Sequence, residues 1–245
     1  MNNGVNLVIS GGGARAVYAI GIAQLLNEKN INIDAISCVS GGSVVGAMMA
    51  LNYQPKEILE ILKNINFKKF IKLSFTKGLF SLERFKPILD DITKSKTVSQ
   101  CSKKLYIWSI ELESGDTYCF NQELISDAIL ASCALYPIFS PYKIDNHYYI
   151  DGGFKNNLPI ESFVNKQQKI IAINLNPKSD ISYDRLNFKK LIATMFYANS
   201  AHKEQLCDIY LEPKQLEQYS IFGINSFDAL FEMGYKDAKQ IIGFL

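Results

Sequence analysis

Two units of strand, glycine-rich turn and helix follow one another near the start of the chain. Residues 5–9 are an apolar strand candidate that leads into Ser10-Gly11-Gly12-Gly13, and residues 34–39 lead in the same way into Ser40-Gly41-Gly42. Apolar residues at helical spacing follow both turns. Consecutive units of this kind build a parallel sheet that helices cover on both faces. The sequence therefore predicts a three-layer α/β/α fold with a largely parallel central sheet.

The rest of the chain continues this alternation. No linker, internal repeat or low-complexity tract interrupts it, so residues 1–245 are predicted to form a single domain. Further strands are predicted over residues 104–112, 117–120, 147–150, 169–175 and 207–211, and further helices over 55–65, 126–135, 186–205 and 227–244.

Composition excludes several classes of protein. Lys and Arg number 26 against 24 Asp and Glu, and this balance, with 15 Phe and 13 Tyr, argues against a nucleic-acid partner. The five cysteines form no CxxC pair and there are only two histidines, so neither a metal site nor a disulfide scaffold is expected. The first residues do not resemble a signal peptide, and no apolar run approaches the length of a membrane span. A cytoplasmic protein is the expectation.

The first glycine turn has three interpretations, of which the simplest is a purely structural strand-to-helix turn that needs residues without a Cβ. Residues 11–16 fit the G-x-G-x-x-A pattern of dinucleotide sites, and Asp34 follows at about the spacing of the acid that binds ribose. Alternatively, the backbone N–H groups of Gly12 and Gly13 converge on an anion, such as the oxyanion formed during acyl transfer.

Two further patterns supply candidates for a nucleophile and a base. Cys38-Val39-Ser40-Gly41-Gly42 is close to the G-x-S-x-G elbow, in which a strained turn presents a serine hydroxyl above a sheet. The structural alternative is that Ser40 only caps a helix. A later strand delivers Asp151 into Gly152-Gly153, where its carboxylate is either a base or part of a common turn.

Taken together, the three patterns resemble the patatin-like phospholipases of the bacterial type, and the resemblance covers nearly the whole chain. It extends to residues 131–141 before Asp151, to Asn156-Asn157-Leu158-Pro159 after it, and to Met233-Gly234-Tyr235. Two residues depart from the family pattern, since Cys38 and Ala16 stand where glycines are usual. Both replacements are small, so they put catalytic efficiency in doubt more than the fold.

The resemblance implies a serine lipid acyl hydrolase, a phospholipase or esterase that needs no cofactor or metal. Ser40 would attack an acyl ester of a phospholipid or related lipid, and Asp151 would take its proton directly, giving an acyl-enzyme. Asp151 can serve as this base only if burial raises its pKa. His147 and His202 are expected to lie outside the mechanism. The implied oxyanion hole comprises Gly11, Gly12, Gly13 and Gly41, with Arg15, Gly42, Gly152 and Gly153 in support.

Several alternatives remain open from the sequence. Arg15 either binds a lipid phosphate or supports the turn through carbonyl contacts. The segment from Lys63 to Lys86 combines basic residues with phenylalanines, so it is either a peripheral membrane contact or a solvated helical cap. For the whole chain, the alternatives are a catalytically weak lipid-binding regulator of the same fold, or a dinucleotide-binding protein that uses residues 11–16.

Overall fold

The computed structural model describes residues 4–66, 72–73, 78–164, 167–178, 184 and 187–244. The strands are β1 (Gly4–Ile9), β2 (Asn32–Val39), β3 (Lys72–Leu73), β4 (Phe80–Ser81), β5 (Lys104–Glu111), β6 (Thr117–Phe120), β7 (Tyr142–Ile144), β8 (His147–Asp151), β9 (Lys169–Ile173) and β10 (Ile209–Leu211). Eight of them form one sheet in the order β10-β9-β1-β2-β5-β8-β7, in which β6 also pairs with β5.

The helices lie in two layers around this sheet. They are α1 (Val17–Glu28), α2 (Gly41–Ala50), α3 (Pro55–Asn64), α4 (Lys86–Thr93), α5 (Ile125–Ser132), α6 (Phe188–Ala198) and α7 (Phe227–Ile241). None of the helices in the described ranges is long and apolar enough to cross a membrane.

The sheet is parallel from β10 through β9, β1 and β2 to β5, as the repeated units predict. Every residue of β1 is buried, as expected of a strand covered on both faces. The other three strands of the eight-stranded sheet, β6, β7 and β8, form antiparallel pairs. The mixed half of the sheet follows from the short connection between β7 and β8, because a tight turn joins only antiparallel neighbours.

Strands β2 and β8 meet end to end along one edge of β5. Trp108 pairs with Val39 of β2 and, on its other side, with Cys119 of β6. The next residue, Ser109, pairs with β6 and with Asp151 of β8. A strand can pair along only two edges. Strand β6 occupies one edge of β5, so β2 and β8 share the other. Their carboxyl ends therefore face each other, which brings the residue after Val39 next to Asp151.

Three predicted helices end at least three residues earlier than their sequence pattern indicates. The helix predicted over residues 126–135 is α5, which stops at Ser132. The prediction for residues 186–205 was wrong at its carboxyl end, because α6 stops at Ala198 and His202 lies beyond it with a φ of 63°. Two residues beyond the end of the helix, the buried Ser200 hydroxyl lies 2.9 Å from the Phe196 carbonyl oxygen and 3.2 Å from Asn174 Oδ1, either of which can accept its proton. At the end of the chain, α7 stops at Ile241 and a short 3-10 turn follows.

Candidate active site

Ser40 occupies a strained turn between β2 and α2. Its backbone has φ 51° and ψ −133°, a conformation that few residues other than glycine adopt. Hydrogen bonds hold it from both sides: its N–H donates to Ser132 Oγ at 2.8 Å, and its carbonyl accepts from Ser43 Oγ at 2.6 Å. Ser132 in turn donates to the Trp108 carbonyl at 2.6 Å, which ties the turn to β5. The geometry is that of a nucleophile elbow rather than of a simple helix cap.

The Ser40 hydroxyl donates a hydrogen bond of 2.6 Å to Asp151 Oδ2. The other carboxylate oxygen, Oδ1, accepts from the Gly153 N–H at 2.9 Å. Asp151 is fully buried, and this desolvation raises the pKa of its carboxyl group to about 7, although both hydrogen bonds oppose the shift. The sequence-based expectation of a raised pKa thus agrees with the environment that the structure gives this group. A carboxyl group with this pKa can accept a proton near neutral pH.

The glycine loop after β1 lies directly against the Ser40 turn. A Cβ atom on Gly41 would come within 2.5 Å of Gly13 Cα, so the two backbones touch and only glycine fits there. In the described part of the chain, the N–H groups of Gly12, Gly13 and Gly41 have no hydrogen-bond acceptor. These three groups are therefore free to bind an oxyanion next to Ser40.

Gly11 differs from the other three predicted oxyanion donors. Its N–H already donates to the Asn157 carbonyl at 3.3 Å, and its own carbonyl accepts from Asn176 Nδ2 at 2.6 Å. The expectation that Gly11 donates to the oxyanion is therefore corrected. It instead holds the loop in place, close to Ser40: a Cβ on Gly11 would be 3.0 Å from Ser40 Cβ.

Arg15 supports the same loop from beneath. Its Nε donates to the Tyr219 carbonyl at 2.8 Å and its Nη1 donates to the Leu175 carbonyl at 3.1 Å. Its side chain is buried, and this burial lowers the pKa of the guanidinium to about 10 despite the opposing charge of Glu217. Of the two alternatives for this residue, carbonyl support is the one that the structure shows.

The other predicted supporting glycines stand where backbones pass closely. A Cβ on Gly42 would lie 2.6 Å from the Ser10 carbonyl oxygen, and one on Gly152 would lie 2.7 Å from that of Trp108. A Cβ on Gly153 would crowd Asn157 Oδ1 at 2.7 Å. These contacts draw β1, β5 and β8 around the Ser40 turn, so side chains at these positions would force the strand ends apart.

Cys38, the departure from the usual elbow pattern, fits because a second glycine faces it. The Cys38 side chain is fully buried, and a Cβ on Gly46 of α2 would lie only 2.9 Å from its sulfur atom. The elbow pattern has glycine at position 38. The extra space that the Cys38 side chain needs is left by Gly46 on α2, which has no side chain.

An apolar cavity of about 310 Å³ opens beside Ser40. Gly13, Ser40 and Gly41 form its polar end. The rest of its wall is almost entirely aliphatic and aromatic, with contributions from Val44, Leu62, Leu82, Phe85, Leu89, Ile92, Ile129, Leu130, Cys133, Leu135, Phe139, Phe196, Ile221, Phe222 and Phe227. A site with one polar end and a long apolar wall suits an acyl chain attached to an ester.

The two histidines take no part in the hydrogen bond between Ser40 and Asp151. His147 begins β8, four residues or about 13 Å of extended chain before Asp151, and its Nδ1 is 2.9 Å from Glu111 Oε1. His202 lies in the turn after α6, and no hydrogen bond from either ring to Ser40 or Asp151 is present.

The dinucleotide alternative does not fit the structure. Asp34 lies beside Gly4, where a Cβ would be 1.9 Å from Asp34 Oδ2, at the amino end of β1. The glycine loop is at the carboxyl end of β1, so the acid that would bind the ribose stands at the wrong end of the sheet. The cavity beside the loop is apolar, and none of the described residues in its wall carries a charge.

The segment 63–86 is described only in part, since residues 67–71 and 74–77 lie outside the described ranges. Lys63 pairs with Asp228 at 3.0 Å and with Glu60 at 3.2 Å, and Lys86 pairs with Asp127 at 2.7 Å. Phe85 contributes to the cavity wall. At both ends the segment thus packs as part of the fold, and its role as a membrane contact remains a prediction.

Three residues support the site in ways that the sequence analysis did not assign: Ser132 and Asn157, which it placed in family segments without a role, and Asn176, which it did not single out. All are fully buried polar residues, and each contacts the Ser40 turn or the glycine loop. The side-chain atoms Asn157 Nδ2 and Oδ1 have no hydrogen-bond partner among the described residues. The available signal was a polar residue inside an otherwise apolar stretch, which is weak without knowledge of the neighbouring strands.

The fold and the site together define an α/β hydrolytic protein: a hydroxyl on a strained strand-to-helix turn, a buried carboxylate at hydrogen-bond distance and an apolar cavity beside them. The chain belongs to the patatin-like phospholipase family, whose sequence model matches residues 7–164. This confirms the predicted family, the predicted three-layer fold and the predicted class of enzyme, a hydrolase of ester bonds.

Similar proteins come from viruses, bacteria and yeasts. The chain is 30% identical to "Probable lipid hydrolase 463L" of Invertebrate iridescent virus 6, in an alignment that spans 66% of this chain and 65% of that protein. It is 29% identical to "Uncharacterized protein R571" of Acanthamoeba polyphaga mimivirus, over 97% of this chain and 93% of that one. It is 24% identical to "Lysophospholipase NTE1" of Meyerozyma guilliermondii, over 98% of this chain but only 19% of that protein.

The crystal structure of VipD from Legionella pneumophila shares the fold. It superimposes with a TM-score of 0.58 over 73% of this chain and 50% of VipD, at 15% sequence identity.

Proposed function

We propose that the chain is a lipid acyl hydrolase in which Ser40 is the nucleophile and Asp151 is the general base. The observation that carries this proposal is the 2.6 Å hydrogen bond from Ser40 Oγ to a fully buried carboxylate, at the polar end of an apolar cavity. Family membership and the names of the viral and yeast relatives support a lipid substrate.

In the first half of the reaction, ionised Asp151 accepts the hydroxyl proton as Ser40 Oγ attacks the ester carbonyl carbon. The negative charge on the carbonyl oxygen is stabilised by the free N–H groups of Gly12, Gly13 and Gly41. The tetrahedral intermediate then expels the alcohol, which takes the proton from Asp151. An acyl group remains on Ser40.

In the second half, Asp151 accepts a proton from a water molecule that attacks the acyl-Ser40 carbonyl carbon. The Ser40–acyl bond breaks, the fatty acid leaves, and Ser40 Oγ recovers a proton from Asp151. Throughout, the Gly153 N–H keeps Asp151 oriented toward Ser40, and the apolar wall of the cavity holds the acyl chain.

The direct test is hydrolysis of a soluble medium-chain p-nitrophenyl ester by a panel of variants. Ser40→Ala and Asp151→Asn should each lower kcat by at least about a hundredfold, in line with the loss of a nucleophile or a general base. The double variant His147→Ala/His202→Ala should keep the wild-type rate.

Matched controls are Ser99→Ala and Asp116→Asn, because both residues are exposed and lie outside the site. Loss of activity in the histidine variant, or full activity in Asp151→Asn, would overturn the dyad. If folded wild-type protein shows no turnover, the proposed hydrolase activity fails and the lipid-binding regulator that the sequence left open becomes the favoured alternative.

A further inference from the structure

Helix α6 has more apolar surface than the fold covers. On its inner side, Ile192 and Phe196 are buried, and Phe196 belongs to the cavity wall. Next to this buried stripe, Phe188, Leu191 and Met195 follow one another at spacings of three and four residues, so they form a second stripe along the helix. This outer stripe is exposed, with 50%, 43% and 41% of the three side chains accessible to solvent.

The exposed stripe adjoins the cavity through a shared cluster of side chains. Ile192 and Phe196 pack with Leu135 and Ile221 in one apolar cluster. Phe222, the residue after Ile221, lines the cavity and is itself 44% exposed. Tyr136, the residue after Leu135, is exposed as well. The outer stripe of α6 and these two residues therefore continue the cavity wall outward; we refer to them as the apolar rim.

The sequence of α6 is basic. It contains Lys189 and Lys190 and no Asp or Glu, in a chain whose total charge is only +2. Exposed apolar side chains and lysines on one helix are the combination found in helices that lie in the plane of an anionic membrane surface. Exposed apolar side chains elsewhere, such as Leu112, Leu206 and Phe244, do not adjoin the cavity wall.

We infer that α6 docks the protein on an anionic lipid surface, with the apolar rim inserted among the lipids and the opening of the cavity turned toward them. This inference rests on the proposed function, because a lipid in a bilayer must move its acyl chain into the cavity. It places the membrane contact at α6 rather than within residues 63–86. The docked helix lets an acyl chain pass from the bilayer to the cavity along a continuous apolar path.

The test is co-sedimentation with vesicles of phosphatidylcholine alone and of phosphatidylcholine mixed with phosphatidylglycerol. Wild type should bind the anionic vesicles at least about tenfold more tightly. The double variant Leu191→Glu/Met195→Glu should lose at least about tenfold in binding to them, since a carboxylate at each position opposes both insertion and the negative surface. Lys190→Glu tests the charge alone and should lose less, but only on anionic vesicles.

Leu112→Glu is the matched control, because Leu112 is 48% exposed but stands at the end of β5, away from the rim. It should bind vesicles like wild type. Hydrolysis of a soluble ester is measured in parallel and should stay within about twofold of wild type in all variants, which separates docking from catalysis. If wild type hydrolyses no ester, the proposed function fails. The vesicle measurements still test whether α6 docks on an anionic lipid surface.

The inference is overturned if wild type binds neither vesicle, or if Leu191→Glu/Met195→Glu and Lys190→Glu both bind like wild type. It is also overturned if the double variant dissociates a wild-type dimer in size-exclusion chromatography while vesicle binding persists. The stripe would then be a contact between two copies of the chain.

Discussion

Asp151 is held in an environment that favours its neutral form, although the proposed mechanism needs the charged form. Two hydrogen bonds stabilise the carboxylate, but complete burial outweighs them and raises the pKa to about 7. Such a group lowers the stability of the folded protein when it is ionised. Catalytic groups are often kept in such unfavourable settings because function requires it.

The stability of the protein should therefore depend on pH through Asp151. The pKa is higher in the folded state than the ordinary value of 3.8, so the folded state binds more protons between these two values. Stability from this group is full at low pH and is lost as the pH rises toward 7. Asp151→Asn, which cannot ionise, should raise the free energy of unfolding by a few kcal/mol at about pH 8.

Urea denaturation of the two proteins at about pH 8 and about pH 4 measures this difference. The gain in Asp151→Asn should shrink toward zero at the lower pH. Asp116→Asn, at an exposed carboxylate, is the control and should show no such gain at either pH. A variant no more stable than wild type at about pH 8 would show that the carboxylate is not destabilising the fold.

At the scale of elements, the contact between β2 and α2 decides whether the Ser40 turn can form with Cys38 in place of glycine. Gly46→Ala would place a methyl group 2.9 Å from the Cys38 sulfur atom, closer than packed atoms allow. We expect Gly46→Ala to lower the free energy of unfolding by about 1–3 kcal/mol. In a Cys38→Gly background the same substitution should cost less, because Ile36 Cγ2 at 3.1 Å is then the remaining close neighbour and alanine favours the helix.

Wild type, Cys38→Gly, Gly46→Ala and the double variant form a double-mutant cycle. Urea denaturation of these four proteins gives the coupling energy between positions 38 and 46. Ester hydrolysis should follow the same order, with Cys38→Gly/Gly46→Ala more active than Gly46→Ala alone. Equal costs of Gly46→Ala in both backgrounds would contradict the contact.

The order of strands and helices along the chain was predictable because local sequence patterns determine it. The apolar strands before Gly11 and Ser40, and the helices after them, follow from periodicity and glycine turns alone. The arrangement of β8 end to end with β2 was not predictable, since it depends on pairing between Ser109 and Asp151 across more than forty residues. The position at which α6 ends was also predicted wrongly. The hydrogen bond between Ser200 and Asn174 just beyond it joins segments that are distant in sequence, so no local pattern reveals it.

The same division applies to the candidate site. Ser40, Asp151 and the glycine turns stand in motifs, so a sequence shows them. Ser132 and Asn157 support the site only through chain segments that are distant in sequence, and the role of Gly11 depended on which acceptor its N–H meets. No local pattern reveals the role of a residue that acts through long-range contacts.

At the scale of the whole molecule, the cavity combines walls from α2, α3, α4, α5, α6 and α7. Its volume should limit the length of the acyl chain that the enzyme accepts. Leu89→Trp, which adds bulk to the wall contributed by α4, should lower kcat/KM for a dodecanoyl ester by at least about tenfold relative to an acetyl ester, since one buried methylene contributes about 0.8 kcal/mol.

A series of p-nitrophenyl esters from acetyl to dodecanoyl measures this preference. Leu206→Trp is the control, because Leu206 is exposed and does not line the cavity. An unchanged chain-length profile in Leu89→Trp would mean that acyl chains bind elsewhere.

The most direct test of the central claim is the pH dependence of fluorophosphonate labelling, with the modified residue identified by mass spectrometry. We expect a single adduct on Ser40, formed at a rate that rises about tenfold per pH unit below 7 and levels off above it, as Asp151 ionises. His147→Ala/His202→Ala should show the same curve, and Asp151→Asn should lose it. Labelling of another serine, or a curve that depends on either histidine, would contradict the Ser40–Asp151 mechanism.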